Sequence, residues 1–528
     1  MVTEDTTIKP RKRGKRSKKW HRLRLTVQVL ILLFFLYLLL GTTQQLSTIL
    51  PPDFFFHLDP LAGISAILAS RTWIAPMALG IITLALTVAF GRVWCSWVCP
   101  MGSILDWVPS HRVRKDKLAK LDIPSYWRQV KYFLLFVILV AALFGSLTLI
   151  FLDPITLLFR SIASAVLPGL SLIIEGAETL FYGIAPLRPA VEWFDGLVRG
   201  WLVTGQDFFW PNILILFVFV VVLVLNAIRS RFWCRYLCPL GGLLALVSRL
   251  ARVRHKVDEA KCVSCKCCAV FCHTGAIDPE KKFAASAAEC TTCMECVGIC
   301  PTKAISFSGQ SGLAPSQRYD PSRRQFLASL GLAVVGAALL RFIPVFGGKK
   351  SQAVIRPPGT SEEQLLNQCI RCGECVKVCP TGSIQPISST EGWENLWTPA
   401  LMMRKGYCDY SCNSCGQVCP TDAIPKLALE QKRRTVLGRA VIDQNICIPW
   451  AEGLECGVCE EVCPIPGKAI TLKGGGGGKG QRAATRRPEV VESSCIGCGI
   501  CETQCPVAGV SAIRVYPVGY DPGIKPID

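Results

Sequence analysis

The sequence predicts a multi-domain protein in which an α-helical membrane bundle of four spans, with a fifth anchor or signal helix, is joined to α+β ferredoxin-like [4Fe-4S] domains. Three observations support this fold class. The 528-residue chain is 51% hydrophobic with a mean hydropathy of +0.37, which is high for a soluble protein. Four charge-free apolar runs lie in its first half, and most of its 29 cysteines fall into closely spaced groups of four. At this length we expect roughly three or four domains.

Each apolar run has about the length of one membrane span once its flanks are included. The four runs lie at about 25–41, 74–90, 133–151 and 212–228. Lys and Arg are abundant before the first run and after the second and fourth, and they are scarce in the loops 42–73 and 152–211. The positive-inside rule therefore predicts that both ends of this unit, residues 25–255, face the cytoplasm.

Residues 1–24 hold ten Lys or Arg and form a predicted basic cytoplasmic tail, held against anionic membrane lipid. The formal net charge of +20 would also suit a nucleic-acid partner. The basic residues sit mainly beside apolar runs, however, which is a membrane-topology pattern, so no nucleic-acid partner is expected.

The membrane unit contains a repeated motif, Trp-Cys-x3-Cys-Pro-x-Gly. It occurs once after the second run, with Cys95 and Cys99, and once after the fourth, with Cys234 and Cys238. A Leu-Asp-Pro triplet also occurs twice, at 58–60 and at 152–154. These repeats predict two duplicated hairpins whose four cysteines converge at the cytoplasmic edge. The four thiols could hold a metal or cluster, act as redox thiols, or be small buried residues, and the sequence does not choose among these.

Residues 256–310 form a predicted two-cluster ferredoxin domain with the spacing Cys-x2-Cys-x2-Cys-x3-Cys, used twice. In such domains the fourth cysteine of each run ligates the other cluster. The predicted ligands of one cluster are Cys262, Cys265, Cys268 and Cys300, and those of the other are Cys290, Cys293, Cys296 and Cys272. Cys267 is a spare thiol. His273 stands where proline usually follows the fourth cysteine.

Residues 311–350 form a linker and a predicted twin-arginine export signal, Ser322-Arg323-Arg324-Gln325-Phe326-Leu327, followed by a weakly apolar segment. We expect this segment to be retained as an anchor, and the alternative is an ordinary fifth transmembrane helix. Both interpretations place the last domain on the opposite membrane face from residues 255–310.

Residues 351–528 form a predicted four-cluster domain, a duplicated ferredoxin in which a short apolar strand follows each fourth cysteine. Each quartet closes on Cys-Pro, a pattern that argues against disulfides. The quartets are Cys369, Cys372, Cys375 and Cys379; Cys408, Cys412, Cys415 and Cys419; Cys447, Cys456, Cys459 and Cys463; and Cys495, Cys498, Cys501 and Cys505. Six quartets predict six [4Fe-4S] clusters in an electron wire. No dinucleotide fingerprint, P-loop or haem motif accompanies them.

On these motifs the first half resembles the NapH-type membrane ferredoxins of periplasmic nitrate reductase systems. From the twin arginine onward the chain is similar to the NapG/MauM-type exported ferredoxins, including the residue inserted in the Cys408 quartet. The resemblance implies a natural fusion of the two proteins that oxidises quinol at the membrane and delivers electrons to a periplasmic reductase. It also implies a ligand exchange in which Cys505 completes the Cys369 cluster and Cys379 the Cys495 cluster. In the same way Cys463 completes the Cys408 cluster and Cys419 the Cys447 cluster.

A quinol site needs an apolar slot and a proton acceptor. The stretch Phe54-Phe55-Phe56-His57-Leu58-Asp59 offers both, so His57 and Asp59 are its predicted residues, although Asp59 could simply cap a helix. The expected partners are membrane lipid, the quinone pool and a periplasmic electron-accepting protein, in a multi-pass bacterial or archaeal cell membrane. The first ferredoxin domain is then cytoplasmic and the last extracytoplasmic. The alternative function is a redox-sensing regulator or a metal-centre maturation factor.

Overall fold

The computed structural model describes residues 15–41, 50–108, 125–198, 212–309, 312, 323–342, 354–388, 392–474 and 485–519. Most of the basic tail, Ser322 of the twin-arginine motif and most of the Gly474–Gly478 run lie outside the described residues. The described chain is mostly helical in its first half and carries short strands in its cysteine-rich parts.

The first unit is built from helices rich in Leu, Ile, Val and Phe. The α-helices are Lys15–Gly41, Phe54–His57, Pro60–Ser70, Gly80–Phe90, Val93–Trp97, Pro100–Trp107, Val130–Leu143, Pro154–Ser161, Leu167–Tyr182, Arg188–Val198, Asn212–Ile228 and Pro239–Val247. Short 3-10 segments are Ala75–Leu79, Ser125–Gln129, Thr148–Leu152, Ala185–Leu187 and Ser248–Leu250, and π-helical turns are Ile162–Val166 and Trp233–Leu237.

Two helices in the described part of the chain, Lys19–Gly41 and Pro154–Tyr182, are long and apolar enough to cross a membrane. The first contains the predicted run 25–41. The second lies within 152–211, the stretch that we predicted to be an outer loop between spans, and its place in the membrane topology stays a prediction. Its long apolar composition, interrupted only by a π-helical turn, favours a helix over a loop.

The other predicted runs form shorter helices. Ala75–Phe90 and Asn212–Ile228 are apolar but have fewer than 18 residues, and Val130–Leu143 ends before Gly145, whose φ is +77°. The four-span bundle is therefore not confirmed by helix length alone and is taken up again as a proposal below.

The cysteine-rich regions are held by paired antiparallel strands. In the first module Val253–Val257 pairs with Ile305–Gly309, and Ile277–Asp278 pairs with Ala284–Ala285. The last module contains the pairs Ile384–Pro386 with Pro399–Leu401, Arg439–Ile442 with Ile513–Tyr516, and Ile470–Lys473 with Arg487–Val490. Its second half thus repeats the plan of the first module, an outer pair closing the unit and an inner pair between the two quartets.

Short helices present the cysteines between these strands. They are Cys267–Val270, Glu295–Ile299, Glu362–Gln368, Glu374–Val378, Ser414–Gln417, Leu429–Arg434, Ile448–Ala451, Val458–Glu461 and Ile500–Thr503, with the 3-10 turn Trp393–Asn395. Helix Arg323–Phe342 joins the two modules. Its 20 residues span about 30 Å, and Ala333, completely buried, lies in one apolar cluster with Phe136 and Val140 of helix Val130–Leu143.

Candidate iron–sulfur centres

The first module brings its eight predicted ligands into the two expected groups. Cys262, Cys265, Cys268 and Cys300 line one cavity, which we call site 1. Cys290, Cys293 and Cys296 lie beside Cys272, and this group is site 2. Cys267 begins the helix that carries Cys268 and is not among the four thiols of site 1.

The last module contains four more groups, each with three cysteines from one quartet and a fourth from elsewhere. Site 3 is Cys369, Cys372, Cys375 and Cys419; site 4 is Cys408, Cys412, Cys415 and Cys379. Site 5 is Cys495, Cys498, Cys501 and Cys463, and site 6 is Cys447, Cys456, Cys459 and Cys505.

The exchange implied by the family resemblance is therefore wrong. It paired the first quartet with the last, whereas the structure pairs each quartet with its neighbour in the chain. Cys419 completes site 3 and Cys505 completes site 6 because each half of the module closes as its own two-cluster unit. This is the local exchange that the first module also uses.

The groups fit a cubane cluster. None of their cysteines forms a disulfide, so every thiol can serve as a thiolate ligand. Backbone N–H groups donate to the fourth-cysteine sulfurs, from Ala276 to Cys272 at 3.3 Å and from Ala304 to Cys300 at 3.2 Å. Such donors stabilise sulfur-borne negative charge and tune a cluster's potential. A bound [4Fe-4S] cluster supplies reversible one-electron chemistry, and the protein supplies its ligands, its burial and these hydrogen bonds.

Sites 3 to 6 form an unbranched series. Cys375 of site 3 faces Cys415 of site 4. The N–H of Cys408 in site 4 donates to the carbonyl of Cys498 in site 5 at 2.8 Å, and Cys501 of site 5 faces Cys459 of site 6. The order along the series, 3-4-5-6, differs from the order of the quartets in the sequence.

The two Trp-Cys-x3-Cys-Pro motifs converge as predicted. Cys95, Cys99, Cys234 and Cys238, the central cysteine group, are all less than 9% exposed and share one apolar core. Within the described residues no three His, Cys, Asp or Glu, in this group or any other, lie close enough to hold a single metal ion. The glycine of the first motif is explained by close approach, since a Cβ on Gly102 would meet the Cys95 carbonyl at 2.4 Å.

Sequence reasoning missed the interface between the first module and the helical unit. Glu289 is completely buried and accepts a 2.5 Å hydrogen bond from Lys131, while Arg92 and Arg128 each approach it at 3.6 Å. Burial by itself would raise the pKa of Glu289, but the three cations hold it below its usual value. The spacing of these residues in the sequence, up to about 200 positions, gives no signal of this contact.

Site 3 lies against another part of the helical unit. The Arg160 guanidinium donates to the Arg371 carbonyl at 3.2 Å and stacks over Trp397, 4.1 Å from its ring centroid. The Phe151 ring packs edge-on against Trp397 with centroids 4.9 Å apart. Gly373, between two ligands of site 3, has a φ of +87° and faces Arg160.

Of the two predicted quinol residues, His57 lies at this second interface, and Asp59 lies within the helical unit. His57 is 7% exposed, lies 3.3 Å from the Asp53 carboxylate and contacts the carbonyl of Pro420, which follows Cys419 of site 3. Burial lowers the pKa of His57 and raises that of Asp53. Asp59 caps helix Pro60–Ser70, accepting from the N–H groups of Leu61 and Ala62. Neither observation tests quinol binding, which stays a prediction.

Comparison with known families agrees with this geometry. The model described as "4Fe-4S dicluster domain" matches residues 368–423 and 447–509, the two halves of the last module. The model described as "4Fe-4S binding domain" matches residues 72–118 and 209–257, which contain the two repeated Cys-Pro motifs. The chain therefore contains several iron–sulfur domains of the ferredoxin type, and its biochemical role is electron transfer.

Several curated proteins resemble about a third of the chain. The methylamine utilization ferredoxin-type protein MauM of Methylobacillus flagellatus is 37% identical over 191 residues, which is 34% of this chain and 76% of that protein. MauM of Methylorubrum extorquens is 35% identical over 37% of this chain and 90% of its own length. The ferredoxin-type protein NapG of Escherichia coli is 32% identical over 35% and 81%. No solved structure matches the chain. The chain thus belongs, over about 35% of its length, to the family of ferredoxin-type proteins that includes MauM and NapG.

Proposed function

We propose that this protein is a membrane-bound electron-transfer subunit that links the quinone pool to an extracytoplasmic respiratory reductase. Its first half then corresponds to a NapH-type membrane ferredoxin of four spans, fused to a NapG/MauM-type second half. Sites 1 to 6 each hold one [4Fe-4S] cluster on the cysteines grouped above. Its ligands and partners are lipid, quinone and a redox protein. Apart from the quinone, it transforms no organic substrate.

The observation that carries this proposal is the series of sites 3 to 6. Site 3 is buried against the helical unit, where Arg160 and Gly373 meet, and each later site lies beside the next. Site 6 ends the series beside the eight-residue loop 448–455, which contains Trp450 and in which Leu454 is 58% exposed. Electrons entering at site 3 therefore have a route to a partner that docks near site 6.

The candidate quinol position adjoins the entrance of this series. Phe54, Phe55 and Phe34 form an aromatic cluster with ring centroids 5.7 to 6.1 Å apart. His57 follows this cluster directly and contacts the backbone next to Cys419. Aromatic side chains and an ionisable pair thus lie beside a ligand of site 3, and quinol oxidation would use both.

The proposed chemistry at this position balances simply. Quinol oxidation to quinone releases two electrons and two protons. His57 is held neutral by burial, so its imidazole can accept one proton, and Asp53 orients the ring and stabilises the imidazolium formed. The second proton leaves to water at this face. A cluster held at site 3 would accept the two electrons one at a time. Asp59 keeps the adjoining helix in place by capping it.

The proposed topology puts the two modules on opposite membrane faces. The first module packs on the helical unit through Arg92 and Glu289, and the last packs on it through Arg160 and Trp397. Helix Arg323–Phe342, which begins with the twin arginine, is about 30 Å long and matches the thickness of a bilayer core. We propose that it crosses the membrane and that the last module is exported.

The test is reduction of the purified protein under anaerobic conditions. With His57→Ala we expect a reduced quinol to lose at least tenfold in its rate of cluster reduction, while dithionite reduces the clusters fully. His255→Gln, which changes a histidine of the first module, serves as the matched control and should leave both rates unchanged. If quinol reduces the His57→Ala protein at the wild-type rate, His57 is not the proton acceptor. If quinol fails to reduce even the wild-type protein, the quinone link is wrong.

A further inference from the structure

The two cysteine motifs build one site rather than two. Each motif contributes two thiols, and all four side chains lie in the same buried core together with Phe159 and Cys372. Their electrostatic neighbours cross between the repeats, because Cys99 faces Cys95 and Cys234, and Cys238 faces Cys234 and Cys95. Two hairpins related by duplication thus place four sulfurs around a pseudo-two-fold axis.

Two buried arginines tie the repeats together across this axis. Arg231, three residues before Cys234, donates to the carbonyl of Cys95 at 3.0 Å. Arg92, three residues before Cys95, donates to the carbonyl of Cys234 at 3.5 Å. The arginine of each repeat therefore holds the backbone at the first cysteine of the other repeat. Both guanidinium groups are only 1% exposed, so they carry positive charge into the protein interior beside the thiols.

On the side of the group that faces the first module, buried cations outnumber buried carboxylates. Arg231 is paired with Asp106 in a bidentate geometry, at 2.7 and 2.6 Å. Arg92 shares its carboxylate, Glu289, with Lys131 and another arginine. A buried excess of positive charge is costly unless an anion accompanies it. An iron–sulfur cluster on four thiolates is such an anion.

The second cysteine of each motif has the backbone of a cluster ligand. Cys99 and Cys238 have φ and ψ of −65°, 117° and −66°, 111°, and each is followed by proline. Cys300 of site 1 has −65°, 117°, and Cys379 of site 4 has −70°, 112°. The Gly241 N–H donates to the Cys238 sulfur at 3.1 Å, matching the donors to the fourth cysteines of sites 1 and 2.

The group lies between site 2 and site 3. On one side Arg92 faces Cys290 and Arg231 faces Cys293, both of site 2. On the other side Asp153 lies within electrostatic range of Cys99 and Cys238.

Helix Pro154–Ser161 begins directly after Asp153. It carries Arg160 to Cys372 of site 3, a rise of about 10 Å over seven residues. The central group is therefore the one set of buried thiols between the two modules within the described chain.

We infer that Cys95, Cys99, Cys234 and Cys238 jointly hold a seventh iron–sulfur centre of the [4Fe-4S] type, which passes electrons between site 2 and site 3. The inference deepens the proposed function and rests on it for the direction of electron flow. The binding of a cluster rests on the cysteine geometry alone. Each transfer moves one electron from reduced iron in one centre to oxidised iron in the next, with no bond made or broken.

Iron and acid-labile sulfide, counted per chain in the anaerobically purified full-length protein, test this inference. Seven cubanes predict about 28 iron atoms, against about 24 for six. The variant Cys99→Ser/Cys238→Ser should lose about four iron atoms and one paramagnetic signal. Cys267→Ser removes a cysteine that is not among the four thiols of site 1 and should lose none. An iron content of about 24 in both the wild type and the double variant overturns the inference.

Single substitutions test the same inference if the double variant misfolds. Cys95→Ser and Cys234→Ser each remove one ligand and change one atom in the buried core, and both should lower the iron content while sites 1 to 6 keep their spectra. Iron retained in both single variants overturns the inference. Quinol reduction separates it from the proposed function, because a protein with about 28 iron atoms that quinol cannot reduce keeps the seventh centre and loses the quinone link.

Discussion

The two iron–sulfur modules contact the same helical unit through different forces. The first module is held by charge, since Glu289 lies completely buried among Lys131, Arg92 and Arg128. The last module is held by ring contacts, with Trp397 between Arg160 and Phe151. Neutralising a buried carboxylate leaves its cations buried without a partner, which strongly destabilises the contact. Replacing a stacked ring by a smaller ring keeps most of the packing. The first interface should therefore be the more sensitive of the two.

Removing the charge of Glu289 should have the largest effect. Glu289→Gln leaves three buried cations with a neutral partner, and breaking a buried ion pair in this way costs about 3–5 kcal/mol. We expect the first module to lose its clusters at a clearly lower guanidinium concentration than in the wild type, measured by the loss of iron–sulfur absorbance. Quinol reduction of sites 3 to 6 should persist.

Glu259→Gln is the matched control for charge removal in the same module. Glu259 pairs with Lys282 at 2.8 Å, but both side chains are more than 60% exposed, so the pair should contribute only about 0–1 kcal/mol. Equal effects of the two substitutions would contradict the idea that burial makes the Glu289 contact decisive.

Trimming Trp397 should have a smaller effect. Trp397→Phe keeps an aromatic ring but weakens the stacking with Arg160, and a desolvated cation–π contact is worth about 2 kcal/mol. We expect a loss of about 1–2 kcal/mol in the stability of the last module's attachment, seen as faster proteolytic release of that module from the membrane fraction.

Trp450→Phe tests whether the effect of Trp397 depends on its burial. Arg487 stacks over Trp450 at 4.8 Å, but Arg487 is exposed, so the expected cost is about 0.5–1 kcal/mol. Release of the last module should be unchanged, because this pair lies near site 6 and away from the helical unit. Faster release in this variant would show that proteolysis does not report on the interface.

The effect that is smallest at neutral pH, and grows as the pH falls, concerns a histidine in the strand that closes the first module. His255 is partly buried next to Phe307, with both ring nitrogens shielded from solvent, and this burial lowers its pKa to about 4. In the unfolded chain this imidazole binds a proton with a pKa of about 6.5, whereas in the folded chain it stays neutral down to about pH 4. Wild-type stability should therefore fall as pH decreases from about 6.5 towards 4. His255→Leu should flatten this acid dependence by on the order of 1 kcal/mol per pH unit, measured by denaturant unfolding at several pH values. An unchanged slope would contradict the burial of a neutral histidine.

The spacing of neighbouring cysteines predicted most of the cluster ligands. Three cysteines within seven residues can reach one cluster because the loop itself fixes their geometry, so each quartet could be recognised from the chain alone. Spacing does not predict which quartet supplies the fourth ligand of a cluster. The first module's exchange was predicted correctly, while the last module's was not, because the choice of partner depends on which segments pair through strands such as Arg439–Ile442 and Ile513–Tyr516.

The predicted quinol residues likewise show which features can be predicted from neighbouring residues and which cannot. The stretch from Phe54 to Asp59 was recognisable as aromatic and ionisable, and Asp59 was a foreseeable helix cap in front of Pro60. The contact of His57 with Pro420, 363 positions further along the chain, was not. No spacing rule connects residues that meet only after two domains pack.

The sequence by itself determined the iron–sulfur chemistry of this protein, its duplicated cysteine motifs and its family, because ligand identity and short spacing are properties of neighbouring residues. The tertiary structure alone decided the order of sites 3 to 6 and the burial of Glu289 between the two units. It also decided the meeting of Arg92 with Cys234 and of Arg231 with Cys95. These features depend on free energy gained only when distant segments exclude water together.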